Sequence, residues 1–185
     1  MNQLLRRKIF AAALEALLLL LIRGSDLASG QQFVPATDAS APSPHQSPAE
    51  RTGLSPAARF AIQRAHQALE DPACRQIFLD FHDSAGRTLQ ERLDALGWNA
   101  QRYLDSIRFD DSEEPRLCRE APILAMTVPG GRVVFLCRSK FSNLIRREPS
   151  ALWVTVLHEE LHSLGLGENP PTSEDISRRV AQRCH

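Results

Sequence analysis

The chain has no surplus of charge of either sign: 22 Lys and Arg stand against 22 Asp and Glu. That balance gives no basic field to gather nucleic acid and no acidic tail. Hydrophobic residues make up 43% of the 185, enough for an ordinary core and too few for a polytopic membrane protein. Its length suits one domain, or one domain with a tail. No two of the four cysteines form a C-x-x-C pair, which excludes the usual cysteine zinc site. The only tyrosine is Tyr103, and the only methionines are Met1 and Met126. Glycine is outnumbered by proline, nine to twelve, and five of the prolines lie between positions 35 and 56.

The extended apolar run, Ile9 to Ile22, is fourteen residues long and carries one charge, Glu15. As a helix it would reach about 21 Å, short of the roughly 30 Å of a hydrocarbon core. Arg6, Arg7 and Lys8 precede it, and Ala28-Ser29-Gly30 follows with the small residues a signal peptidase reads. Residues 1–30 therefore read as a cleaved secretory signal, with an uncleaved N-terminal anchor as the alternative. No cysteine follows the run to carry a lipid. Removal of 1–30 leaves 18 positive and 20 negative charges, which gives the mature chain no stable attraction to anionic membrane. The expected location is secreted or periplasmic, an oxidising compartment where disulfides persist.

Residues 31–55 are rich in Pro, Ser, Ala, Thr and Gln without apolar periodicity, and read as a disordered linker. The domain is expected over 56–185. Ser55 caps and Pro56 opens a helix whose apolar stripe is Phe60, Ile62, Ala65 and Leu69. A second helix follows Asp71, with Cys74, Ile77, Phe78 and Phe81. Thr88 and Glu91 form a capping box for a third, which Gly97 ends. Trp98 to Ser106 is a further helical segment. Ile107 to Asp110 is a strand candidate. Ile123 to Val128 and Arg132 to Cys137 read as an antiparallel hairpin turned by Pro129-Gly130-Gly131. Phe141–Arg147, Ala151–Leu164 and Ser173–Cys184 are helical, the last capped by Thr172 or Ser173. The fold class is α+β: a helical N-terminal half, a small antiparallel hairpin or sheet, and two closing helices.

His158-Glu159-Glu160-Leu161-His162 is an H-E-x-x-H sequence. With six histidines and twelve glutamates in the chain, one such match is expected by chance on the order of 1% of the time. Residues i and i+4 share one face of a helix, so both imidazoles can reach one metal ion. Glu159, beside the first of them, is placed to take a proton from an activated water. Two surface histidines on an amphipathic helix are the bland alternative. They would leave two histidines and two glutamates in an apolar segment without compensation.

The continuation Gly165-Leu166-Gly167-Glu168 puts a glycine at +7 and a carboxylate at +10 from His158. The whole resembles the zincin metallopeptidase superfamily, and specifically the H-E-x-x-H-x-x-G-x-x-H/D arrangement of metzincins, with Glu168 where that family has His or Asp. The stretch His158 to Pro171 also resembles the ending of small secreted bacterial metallopeptidases. The resemblance spans roughly residues 123–176. It implies a minimal zincin-like domain, a Zn2+ cofactor on His158, His162 and Glu168, Glu159 as general base, and a peptide or protein substrate. It further implies that a strand of the hairpin 123–137 holds an extended substrate. The likeness departs at the methionine turn, since no methionine follows His162, and only 23 residues remain after that histidine. A gluzincin-like plan with Glu174 as third ligand is the alternative. For the oxyanion-stabilising group the candidates are Tyr103, Arg132, Arg138 and His82. A non-catalytic metal-binding module and a metal-free helical interaction domain are the competing readings.

Four cysteines allow three pairings. Cys118–Cys137 would tie the segment before the hairpin to its second strand, and Cys74–Cys184 would bind the helical half to the last helix.

Overall fold

The computed structural model describes residues 53–111 and 116–184. The expected signal segment and most of the expected linker, residues 1–52, lie outside these residues, as does His185.

The first helix, α1 (Pro56–Ala68), starts where Ser55 Oγ accepts a hydrogen bond from the Ala58 amide and Pro56 supplies a preset φ. Its inner face is mostly alanine, with Ala58, Ala61 and Ala65 wholly buried, which lets it pack closely on the helix that carries the H-E-x-x-H sequence. After Asp71 the expected single helix is two short ones, α2 (Pro72–Arg75) and α3 (Ile77–Asp80), broken at Gln76. Thr88 opens α4 (Leu89–Leu96) with a complete capping box. Thr88 Oγ1 accepts from the Glu91 amide at 3.1 Å, and Glu91 Oε2 accepts from the Thr88 amide at 2.6 Å. Gly97, at φ 64°, ends α4 in the left-handed conformation. Asn99, not Trp98, then caps α5 (Ala100–Asp105).

The sheet corrects one expectation. Strands β1 (Arg108–Asp110), β2 (Ala125–Met126) and β3 (Val133–Leu136) lie in the order β1-β3-β2. The hairpin β2–β3 is antiparallel as expected, but β1 pairs with β3 in parallel, so the sheet is mixed. A parallel pair needs a long crossover, and among the described residues this one includes α6 (Arg116–Glu120), a helix absent from the sequence reading. Within the sheet order, β2 is an edge strand.

Three helices complete the domain: α7 (Arg138–Leu144), α8 (Pro149–Ser163) and α9 (Ser173–Arg183). Helix α8 is central. It packs on α1, α7, α9 and β2, and Leu152, Val156, Leu157 and Leu161 are wholly buried. Truncating any one of these leucines to alanine removes transfer energy and leaves a cavity, a cost of about 2–5 kcal/mol. Both expected disulfides are present, Cys74–Cys184 and Cys118–Cys137. Among the described residues no helix is long and apolar enough to cross a membrane.

Candidate metal centre

Helix α8 ends in a motif that builds half of the site. The Gly165 amide donates to the His162 carbonyl at 2.8 Å, and the Leu166 amide to the Leu161 carbonyl at 3.1 Å. That pair of bonds is a Schellman turn, and it requires the positive φ of 111° that Gly165 adopts. The turn folds the Leu166 carbonyl back onto the helix, where it accepts from His162 Nδ1 at 2.7 Å. A carbonyl can only accept, so this bond places the His162 proton on Nδ1 and leaves the Nε2 lone pair exposed to the site. Tyr103 fixes the same helix end from below: its hydroxyl donates to the Ser163 carbonyl at 2.7 Å.

His158 Nε2 and His162 Nε2 approach to 2.9 Å. Glu168 Oε1 lies 3.3 Å from the second and 3.8 Å from the first. These three separations bracket the roughly 3.3 Å between neighbouring ligand atoms of a tetrahedral centre with metal bonds of about 2.05 Å. Both histidines are 5% exposed, whereas the Glu168 side chain is 40% exposed and closes the group from the solvent side. His158, His162 and Glu168 together could hold a metal ion. Nitrogen and oxygen donors with this spacing fit a small divalent cation.

Glu174, the alternative third ligand, does not join them. It is 88% exposed at the first turn of α9 and faces Arg178, where a carboxylate also suits the helix dipole. Glu168 returns to the histidines because the Schellman turn at Gly165 folds the chain back against the end of α8.

Glu159 is 6% exposed and lines the same cleft as the three ligands. That cleft, of about 420 Å³, is walled by Ala125, Met126 and Thr127 of the hairpin, and a second of about 400 Å³ continues it past Thr155 and Ser177. The Gly130 amide ties the hairpin tip to α8 by donating to the His162 carbonyl at 2.9 Å.

None of the four oxyanion candidates lines the cleft. Tyr103 is committed to Ser163. Arg132 lies over the rings of Trp98 and Tyr103 and bonds Ser106. Arg138 is paired with Asp111, and His82 sits in a backbone bridge with Thr88. Residue type alone had nominated them, and the fold places each away from the cleft lining.

Two groups escaped the sequence reading. Ser177 Oγ sits 3.0 Å from His158 Nδ1, and nothing in a lone serine of an amphipathic helix announces such a contact. Glu160 is wholly buried, and neither carboxyl oxygen has a hydrogen-bond partner among the described residues.

The electrostatics follow from burial. Desolvation lowers the His158 imidazole to about 4, with the neighbouring His162 adding to the fall. Desolvation raises the Glu159 carboxyl to about 8, helped by the Glu168 charge. It also lifts Glu160 well above the ordinary range, with Asp105 contributing. A carboxyl with a raised folded pKa gives its full stability below about pH 4.5 and loses it as pH climbs toward the folded value. A histidine held neutral has the opposite slope, confined here to the window between about 4 and 6.5. Of these three groups the two carboxyls are the ones that titrate between pH 6.5 and 8, so chelator-treated protein should be less stable at pH 8 than at pH 6.5. Glu160→Met should reduce that slope and raise stability at pH 8 by about 1–3 kcal/mol, because an unpartnered buried polar group is removed. Urea denaturation at the two pH values checks both statements, and a flat wild-type profile contradicts them.

Comparison of the chain with family models, with curated proteins and with solved structures finds no match.

Proposed function

We propose that this chain is a secreted zinc-dependent peptidase of the zincin superfamily, acting on peptide or protein substrates. The observation that carries the reading is the convergence of His158 Nε2, His162 Nε2 and Glu168 Oε1 in a cleft that also contains the buried Glu159. Two imidazoles and one carboxylate are a donor set used by catalytic zinc, which keeps a position open beyond three protein ligands. Among the described residues no fourth ligand joins the group, and Glu174 lies away from it. That favours catalysis over a purely structural metal module, which closes all four positions.

His158, His162 and Glu168 would hold a divalent ion, which would serve as a Lewis acid, polarising a carbonyl and lowering the pKa of water toward 7. Glu159 accepts the proton of the attacking water and passes it to the leaving amine. The edge strand β2 offers backbone groups to an extended peptide laid along the cleft. The Schellman turn and Tyr103 hold His162 in orientation before substrate arrives. The two disulfides suit an oxidising compartment, in keeping with export by the leader.

Purified mature protein should contain about one zinc per chain and hydrolyse an unstructured protein such as casein. Dialysis against a chelator should abolish hydrolysis, and added zinc should restore it. Metal-loaded protein without hydrolysis would favour the non-catalytic module; protein without metal would favour the helical interaction domain.

A further inference from the structure

Four polar groups run in one chain across the centre: Ser177 Oγ, the His158 ring, the His162 ring and the Leu166 carbonyl. The successive contacts are 3.0, 2.9 and 2.7 Å. The far end has one polarity, because the Leu166 carbonyl only accepts and therefore holds the His162 proton on Nδ1. His162 Nε2 is then an acceptor facing His158 Nε2. An ion held by both Nε2 atoms would require the His158 proton on Nδ1, and Ser177 Oγ, 3.0 Å away, is the acceptor within reach.

We infer that Ser177 is a positioning residue whose hydroxyl accepts from His158 Nδ1 and so turns the Nε2 lone pair toward the ion the centre would hold. Helix α9 is well placed to hold the hydroxyl: it packs on α8, and its far end is fastened by Cys74–Cys184 and by the fork of Arg183 on Asp80 at 2.9 and 3.0 Å. The inference rests on the metal-centre reading and not on peptidase activity.

Nitrogen-15 NMR of the imidazoles in the wild-type chain tests it directly. Zinc-loaded protein should show both His158 and His162 protonated on Nδ1. Ser177→Ala should weaken zinc binding by about 10- to 100-fold in chelator competition, and Ser177→Thr, which keeps the hydroxyl, should restore it to within about threefold. Gln182→Ala, on the exposed side of the same helix, should bind as wild type. A zinc-loaded His158 without a proton on Nδ1, or full affinity in Ser177→Ala, or no rescue by threonine, overturns the role of Ser177. A wild-type chain that takes up no zinc overturns the metal centre itself, and this proposal with it.

Discussion

Glu159→Gln is expected to bind zinc as the wild type does and to lose hydrolysis by about 10²–10⁴-fold, the usual contribution of a positioned general base. The substitution keeps the side chain's length and volume inside a wall where Glu159 is 6% exposed, so the cleft should not collapse. It removes the one capacity that matters, since an amide oxygen cannot take up the proton. Burial holds the metal-free carboxyl near 8, mostly neutral at pH 7 and unable to act as a base. A cation within a few ångströms favours the charged form and opposes that rise. The variant should therefore retain near-stoichiometric zinc while its turnover of a fluorogenic peptide falls to background. Hydrolysis at the wild-type rate would remove Glu159 from the mechanism.

The largest effect on stability is expected from the Cys74–Cys184 disulfide. Its partners are 110 residues apart in sequence, against 19 for Cys118–Cys137. On the chain-entropy account, closing the longer loop is worth about 4.8 kcal/mol and the shorter about 3.2 kcal/mol. The double variant Cys74→Ala with Cys184→Ala should thus lose more stability in urea than Cys118→Ala with Cys137→Ala. It should also lose zinc affinity, because the bridge fastens α9 and with it the partner of His158. Equal stability losses in the two double variants would contradict the loop-length argument. Unchanged zinc affinity would separate the bridge from the metal centre.

What was legible in the sequence was local. The caps at Ser55, Thr88 and Thr172 form as their residue types require, because a cap is a contact within three residues. The pairing of His158 with His162 is equally local, since the helix repeat alone puts i and i+4 on one face. Even Gly165 could be read, as the residue able to take the positive φ that ends α8.

The decisions beyond that range belonged to the tertiary structure. Glu168 and Glu174 were equivalent as carboxylates, and the path of the backbone after the turn separated them: one returns to the histidines, the other faces solvent beside Arg178. The parallel pairing of β1 with β3 joins residues more than twenty positions apart, and no local pattern encodes which edge a short strand will choose. Tyr103 and Arg132 looked free to stabilise an oxyanion until packing assigned them to Ser163 and to an aromatic face. Ser177 became a partner of His158 only because α9 is drawn against α8 by packing and a disulfide. By itself, then, the sequence determined most of the helices, their caps and the two imidazoles, all governed by hydrogen bonds a few residues long; it missed α6 and the break at Gln76, and it set α7 three residues late. The third ligand, the sheet order and the groups that orient the histidines were decided by burial and contact across the whole chain, which act between residues that only folding brings together.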